Sequence, residues 1–343
     1  MSYTGWLKNL QQLFFMSRAG KRMAGKHRPY KRLVILSDIH YPSKSVVDET
    51  ACLNKMHNKK KALEDINHWH DVDLAVFTGD MVQRDGSLSE YERVRSLLRG
   101  LKARKAFLAG NHELFCSTDT KGRLISGGFL ERIFHFKRYT RFFGPLYHCR
   151  RVGGYLLVFL SPDTMNSEAA VELSQQQLTW LDQTLSANSQ YPTIIFCHAP
   201  LSGTALPAAD GSARPVRRNA VQPADALERI LLSHRQVRLW VSGHTHTRPC
   251  DGDFMTDANY YHGHILNVYN ADWDNGPDIY TNSLYLFEDK IVIRTYSHRQ
   301  HAWLPPVYPG KTGRGGSVPG CVASRSGMWD LSQLLQEWTK FVR

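Results

Sequence analysis

Five apolar runs in this chain end beside side chains that can bind a metal ion. The donors that follow these runs are, in chain order, Asp38 and His40, Asp80, Asn111 and His112, His198, and His244 and His246. Each signal is weak alone, since Asp-Gly and Gly-Asn pairs also occur in ordinary turns. Ligand sites of open α/β sheets form where the carboxyl ends of strands meet. We therefore expect the five positions to converge on one site.

The chemistry of these donors is restricted to oxygen and imidazole, with no thiolate. Such donors suit two divalent ions of the manganese, iron, zinc or cobalt class, and the carboxylate of Asp80 could bridge the pair. Two ions about 3.5–4 Å apart can hold a hydroxide and stabilise both the attacking and the leaving oxygen of an in-line displacement at phosphorus. The pattern predicts a dinuclear metal-dependent phosphoric ester hydrolase.

Alternating strand-like and helix-like segments must position these donors. The runs "RLVILSD", "DLAVFTGD" and "KAFLAGNHE" are separated by helical stretches, which predicts buried strands joined by crossovers. The runs "HILNVY", "SLYLFE" and "KIVIRTYS" follow one another closely, which predicts antiparallel pairing. We expect the fold class α/β, with a mixed two-sheet β-sandwich flanked by helices.

Composition divides the chain into four parts. These are a basic amphipathic leader over residues 1–31, a main domain over 32–304, a Pro/Gly-rich linker over 305–328 and an amphipathic helix over 329–343. Within the main domain, 202–222 is an inserted loop and 116–140 is a candidate cap over the site. The aromatic side chains of the candidate cap are either an apolar surface for an acyl chain or ordinary core: Phe129, Phe134, Phe136 and Tyr139.

The net charge of +12 is concentrated in the leader. Residues 1–32 contain no acid and these basic residues: Lys8, Arg18, Lys21, Arg22, Lys26, Arg28, Lys31 and Arg32. Such a segment could lie peripherally on an anionic membrane, pack on the body of the protein, or form a solvated tail. No apolar run reaches the roughly 20 residues of a membrane span. Six scattered cysteines suit a reducing compartment, so we expect a cytoplasmic protein, with peripheral membrane contact as an option.

The ordered series "DIH", "GD", "GNHE", "CH" and "GHTH" resembles the calcineurin-like metallophosphoesterase superfamily from about residue 32 to about residue 296. Two intervening segments, "FFGPLYHCRRVGGYLLVFLSPD" and "LSQQQLTWLDQTL", are similar to its cyclic-nucleotide phosphodiesterase branch. The resemblance implies a four-layer α/β/β/α domain. It implies one metal held by Asp38, His40, Asp80 and His246, and another held by Asp80, Asn111, His198 and His244. It also implies that His112 protonates the leaving oxygen or stabilises its developing charge.

The loop after Asp80 departs from one branch of this superfamily. "GDMVQRDG" followed by "GNHE" is similar to the phosphoprotein phosphatases, in which an Arg at the place of Arg84 contacts phosphate. That branch would have an Asp in place of Gln83, and a Gln carries no charge to raise the pKa of a catalytic imidazole. A protein phosphatase is therefore disfavoured, while Asn111 and Arg84 remain candidate substrate contacts.

Several substrate classes stay open. We favour a phosphodiester over a phosphomonoester, with a nucleotide as the preferred substrate. The leader would suit a lipid-linked pyrophosphate of the UDP-2,3-diacylglucosamine type. A nuclease is disfavoured because the body has no concentrated basic stripe. A non-catalytic scaffold is disfavoured because every expected ligand position carries a competent side chain. The metals bound in the cell and the oligomeric state are not determined by the sequence.

Overall fold

The computed structural model describes residues 28–42, 49–121, 123–206, 219–274 and 276–305. The predicted C-terminal helix, nearly all of the predicted leader and linker, and most of the inserted loop lie outside these residues. The expectations for those segments remain predictions.

The described elements follow the predicted alternation of strands and helices. The strands are β1 (Tyr30–Leu36), β2 (Val72–Thr78), β3 (Lys105–Leu108), β4 (Cys116–Thr118), β5 (Leu124–Ser126), β6 (His148–Val152), β7 (Tyr155–Leu160), β8 (Thr193–Cys197), β9 (Val237–Ser242), β10 (Tyr260–Tyr261), β11 (Ile265–Tyr269), β12 (Tyr280–Phe287), β13 (Ile291–Ser297) and β14 (Ala302–Trp303). The α-helices are α1 (Glu49–His68), α2 (Leu88–Arg99), α3 (Asn111–Leu114), α4 (Phe129–Phe143), α5 (Gln175–Ala187) and α6 (Ala224–Ser233).

The strands form two six-stranded sheets and a separate hairpin. The first sheet has the order β14-β13-β12-β1-β2-β3, the second has the order β10-β11-β9-β8-β7-β6, and β4 pairs with β5. Strands β1, β2 and β3 are parallel, as are β7, β8, β9 and β11. The predicted α/β class with two helix-flanked sheets is confirmed.

One prediction about strand pairing is only half correct. Strands β12 and β13 pair antiparallel as expected, but β11 pairs parallel with β9 in the other sheet. The short connection between β11 and β12 is not a hairpin, because there the chain passes from the second sheet to the first.

Strand β1 shows why the central strands are uninterrupted apolar runs. Leu33 and Ile35 pack into the core between the sheets, whereas Val34 and Leu36 pack into a core shared with α1, α2 and α4. Helices α5 and α6 cover the outer face of the second sheet through a third core. Both faces of each central strand are therefore buried, and the layers are arranged helix, sheet, sheet, helix.

The candidate cap over 116–140 is the hairpin of β4 and β5 followed by α4. Tyr139 is fully buried and Phe136 packs against the core, so these two aromatics serve packing. Phe129 and Phe134 instead remain exposed, by 51% and 61%. None of the described helices is both long and apolar enough to cross a bilayer.

Candidate metal centre

The carboxyl ends of the parallel strands bring the predicted ligands together. Three groups have donor atoms that all lie within 4.8 Å of one another: Asp38, His40 and His246; Asp80, His198 and His244; and His40, Asp80 and His112. The first sheet supplies Asp38, His40 and Asp80, while the second supplies all three of His198, His244 and His246. The two sheets therefore close on one cluster from opposite sides.

The shortest distances divide this cluster into two halves. The open half consists of Asp38, His40 and His246, and the buried half is built around Asp80, His198 and His244. In the open half, His246 Nε2 lies 3.2 Å from Asp38 Oδ1 and 3.3 Å from His40 Nε2. The buried half also contains Asn111, whose Oδ1 lies 3.0 Å from His198 Nε2. Asp80 Oδ2 lies 3.1 Å from the same nitrogen of His198.

The hydrogen bonding of His198 tests whether a cation fits the buried half. Its Nδ1 lies 2.8 Å from the carbonyl oxygen of Thr78, which can only accept a hydrogen bond. Nδ1 must therefore carry a proton, and in a neutral imidazole the lone pair of Nε2 would face the oxygens of Asp80 and Asn111. Lone pairs facing one another require a proton or a metal ion between them. The donors therefore fit a bound cation.

The pKa values of two histidines in the metal-free cluster also indicate that the cluster attracts positive charge. Burial alone would lower the pKa of His198, but Asp80 and Asp38 raise it to about 10. Burial likewise opposes protonation of His246, but its hydrogen bond with Asp38 and the charge of that carboxylate raise its pKa to about 9. Protons on these two imidazoles therefore stand where cations would bind.

Two other candidate ligands are held in the protonation state that can coordinate a metal. Burial would raise the pKa of Asp38, but His198 and His246 lower it to about 2, so the group is a carboxylate. Burial and the neighbouring His112 lower the pKa of His40 to about 3, which leaves a neutral imidazole.

The backbone at the candidate ligands is unusual, because five of them have positive φ angles. The residues are Asp38 (50°), His40 (46°), Asp80 (49°), His244 (66°) and His246 (51°). A left-handed conformation costs a residue other than glycine about 1–3 kcal/mol and persists only where its surroundings enforce it. Here the β1–β2 ladder continues beyond the strands, since His40 N–H donates to Asp80 O at 2.9 Å.

Two glycines allow the chain segments of the cluster to approach each other. A β-carbon on Gly243 would overlap Ser37 Oγ and Asp38 Oδ2, and one on Gly110 would overlap the carboxylate of Asp80. The glycines of "GNHE" and "GHTH" are therefore required by close approach to two of the metal-ligand candidates.

Glu113 is a supporting residue that the sequence analysis missed. It is fully buried and accepts hydrogen bonds from four backbone N–H groups: Asp80 (2.9 Å), Met81 (2.6 Å), Val82 (2.9 Å) and Gly110 (2.7 Å). Burial and the charge of Asp80 raise the pKa of Glu113 to about 7, against the effect of its N–H donors. Its place three residues after the start of "GNHE" was a usable signal, because a Glu there can close a capping box.

A second support, also missed, is the segment from Asp272 to Asp274. Trp273 N–H donates to Asp38 O at 3.0 Å, and Asp272 Oδ2 lies 3.8 Å from His246 Nδ1. Asp274 pairs at 2.6 Å with the buried Lys59, whose Nζ donates to His40 O at 2.9 Å. This segment follows β11, more than 200 residues after β1, so no local pattern points to its role.

His112 lies beside the cluster, and no carboxylate of the described residues accepts a hydrogen bond from its ring. Its backbone N–H donates to Asp80 Oδ1 at 2.9 Å, and its Nε2 lies 3.8 Å from Asp80 Oδ2. Its buried Nδ1 has no hydrogen-bonding partner among the described residues. With its amide oriented to satisfy its neighbours, Gln83 donates instead to the carbonyl oxygens of His40 and Pro42.

Arg84 lies on the same loop and is half-buried. Its backbone N–H donates to Glu90 Oε2 at 3.4 Å. Its contact with a substrate phosphate remains a prediction.

Comparisons with known proteins agree with this arrangement. The model of the calcineurin-like phosphoesterase family matches residues 31–248. A curated relative, a probable cyclic nucleotide phosphodiesterase of Synechococcus sp., is 28% identical over 188 residues, which is 54% of this chain and 62% of the relative. The chain thus spans less than two thirds of that relative's length. The crystal structure of a dimetal phosphatase from Danio rerio is 16% identical with a TM-score of 0.50, covering 79% of this chain and 97% of that one. This structural likeness shows a shared fold.

Proposed function

Because this chain belongs to the calcineurin-like phosphoesterase family, we propose that it is a hydrolase of phosphodiesters that depends on two divalent metal ions. The observation that carries the proposal is the position of Asp80. Its carboxylate belongs to the buried group with His198 and His244 and also to a group with His40, a proposed ligand of the other ion, and His112, the proposed proton donor. A carboxylate shared in this way is suited to bridging two ions.

The chain's own residues would divide the binding of the metals between them. Asp38, His40 and His246 would hold one ion, Asn111, His198 and His244 would hold the other, and Asp80 would contact both. When bound, ions of the manganese, iron, zinc or cobalt class activate water and neutralise the charge that develops on phosphate oxygens. The rigid strand ends and the four hydrogen bonds accepted by Glu113 would keep the donors in place, so that little reorganisation is needed during reaction.

His112 is the proposed proton donor to the leaving oxygen. Its side chain is 16% exposed, so its ring borders both the cluster and the solvent. The backbone hydrogen bond to Asp80 Oδ1 positions the residue independently of its ring. The imidazole can therefore hold a proton at Nε2 for the leaving group while the carboxylate of Asp80 remains with the metals.

The proposed substrate is a nucleotide-type phosphodiester. The name of the Synechococcus relative supports this class. The absence of a carboxylate at Gln83 makes this site unlike that of the phosphoprotein phosphatases. A lipid-linked pyrophosphate is a second candidate, because Phe129 and Phe134 in the 116–140 segment are exposed on a helix that contacts α3, the short helix that begins at Asn111.

The test is hydrolysis of bis(p-nitrophenyl) phosphate and p-nitrophenyl phosphate by the full chain, stripped of metal and then supplied with manganese. We expect manganese to restore turnover of the diester in preference to the monoester. Asp80→Asn should lower this turnover by roughly a thousandfold or more, because the bridging charge is lost. Asp278→Asn is the matched control, since it affects only a surface pair with Arg299 at 3.1 Å.

A second variant separates catalysis from metal binding. His112→Asn should lower kcat by about 10²–10⁴-fold and leave the metal content unchanged, because it removes a proton donor and no metal ligand. A lack of turnover with manganese, iron, zinc and cobalt would contradict the hydrolase. Preferred cleavage of the monoester would contradict the phosphodiesterase.

A further inference from the structure

Helix α4 has two chemically different faces. Arg132, His135 and Tyr139 are buried on the inner face. On the outer face, Leu130 and Phe134 are exposed by 68% and 61%. This spacing of four residues places both side chains on one stripe of the helix.

The hairpin of β4 and β5 extends this apolar face. Leu124 and Ile125 are each 45% exposed, and Phe129 at the start of α4 is 51% exposed. Ser117 Oγ of β4 donates to Glu131 Oε1 at 2.8 Å, and Arg132 donates to Ser126 Oγ of β5 at 2.7 Å. These bonds hold the hairpin against the first turn of α4, so the exposed apolar side chains of both elements lie in one region of the protein. We call it the hairpin–helix surface: Leu124, Ile125, Phe129, Leu130 and Phe134.

The concentration of apolar side chains here is not typical of the rest of the described chain. Of the eight large hydrophobic residues exposed among the described residues, five form the hairpin–helix surface. Single exposed hydrophobic residues need no explanation, but several concentrated in one hairpin and the adjoining helix indicate an interaction.

The charges around this surface identify the kind of partner. The segment 119–143 contains six basic residues and only two acids. Of the acids, Asp119 pairs with Arg123 at 2.8 Å, and Glu131 accepts hydrogen bonds from Gly128 N–H and Ser117 Oγ.

Lys137 and Arg141 are exposed further along α4 and form no ion pair with another described residue. Exposed apolar side chains bordered by free cations are typical of segments that lie in the interface of an anionic bilayer. An apolar partner protein would not require these cations.

We propose that the hairpin–helix surface docks on an anionic lipid membrane. Its apolar side chains would enter the interfacial layer, and Lys137 and Arg141 would contact lipid phosphates. The hairpin that carries part of this surface begins next to the candidate metal centre, because the amide of Asn111 donates to Sγ of Cys116, the first residue of β4, at 3.6 Å. Docking would therefore present the metal centre near the headgroups. The proposal does not depend on which phosphate ester the centre hydrolyses.

The test is cosedimentation of the full chain with vesicles of phosphatidylcholine containing about one third phosphatidylglycerol. We expect the wild-type chain to bind these vesicles and to be released by salt. Leu130→Ser with Phe134→Ser should weaken binding about tenfold or more, since two apolar side chains no longer leave water. Lys137→Gln with Arg141→Gln should also weaken it about tenfold or more, because each nearby cation contributes to attraction by the anionic leaflet.

Leu53→Ser with Leu88→Ser is the matched control, because these leucines are 55% and 50% exposed outside the surface. It should bind as the wild type does. Thermal unfolding of each variant checks that it is folded. If the variant with two serines does not fold, the variant with two glutamines still tests the proposal. The proposal is overturned if the wild type does not bind. It is also overturned if folded surface variants lose less than about threefold, or if the control loses as much as they do.

Discussion

The two halves of the candidate metal centre offer similar ligand chemistry but differ in how far one histidine of each is enclosed. The side chain of His198 in the buried half is fully inaccessible to solvent, whereas that of His246 in the open half is 42% exposed. Their supports also differ. Glu113 fixes the backbone around Asp80 through four hydrogen bonds, while Asp272 approaches His246 only to 3.8 Å. If both halves bind metal as proposed, we expect the buried half to retain its ion more tightly and the open half to exchange more readily with solvent.

The largest expected difference is between His198→Gln and His246→Gln. The first change should lower diester turnover roughly a thousandfold and remove one tightly held ion, because no solvent can replace the lost ligand in a buried site. The second should cost about 10–100-fold, since water can take the vacant position. Turnover and metal content by mass spectrometry measure both effects. Equal losses would show that enclosure does not distinguish the halves.

The next comparison concerns the two supports. Glu113→Gln should lower the free energy of unfolding by about 2–4 kcal/mol, because an amide cannot accept from all four buried N–H groups. Asp272→Asn should weaken manganese binding about tenfold while unfolding changes by less than about 1 kcal/mol. Urea unfolding and manganese titration measure the two quantities. A stability loss in Asp272→Asn equal to that in Glu113→Gln would contradict the assignment of different roles.

The pH dependence follows from protons held in both halves. The folded pKa values of about 10 for His198 and about 9 for His246 lie above the ordinary histidine value near 6.5. In metal-free protein, their stabilising contribution is therefore fully present below pH about 6.5 and is lost as the pH rises through about 9 and 10. A metal ion must displace these protons, so manganese affinity should fall about tenfold per displaced proton for each pH unit from 9 down to 7.

Calorimetric titration in buffers of different protonation enthalpy counts the released protons. We expect about two per chain near pH 7.5, one from each half. Release of less than one would mean that the two imidazoles are already neutral. Thermal unfolding of the stripped protein should also show stability decreasing from pH 7 to 10.

The smallest expected effect is that of Arg84→Ala, which tests whether substrate also contacts the loop after Asp80. If the guanidinium binds phosphate, KM should rise about tenfold with kcat little changed, because uniform binding is lost. Arg299→Ala is the control, as this arginine is 60% exposed in a surface ion pair. An unchanged KM would restrict substrate binding to the metal cluster and its immediate surroundings.

Much of the fold and of the candidate site could be predicted because their signals are local. Each apolar run that forms a central strand is contiguous, and its donor follows within a few residues, as His198 follows β8. The carboxyl ends of parallel strands lie at one edge of a sheet. Assigning the strands from the sequence therefore also predicted where the candidate site lies. The exposure of Phe134 and the burial of Tyr139 were not predictable, because the two lie in one helix and differ only in what packs against them.

The supports could not be predicted because they depend on tertiary contacts. Trp273 reaches Asp38 only because the chain crosses from the second sheet to the first after β11, and this crossing was mistaken for a hairpin. The four hydrogen bonds of Glu113 likewise need the loops after β2 and β3 to face each other. Sequence spacing shows which side chains can coordinate a metal, but the groups that orient them are determined by packing.

The positive φ angles at five ligands place a limit on which residues can occupy these positions. Asp, Asn and His adopt left-handed backbone more readily than most residues, so the residue types proposed to coordinate metals are also types that tolerate this geometry. A β-branched replacement would remove a candidate ligand and would also disfavour the left-handed backbone conformation at that position. Asn is accordingly the informative substitution for Asp38 or Asp80, since it changes the charge and preserves the conformational preference.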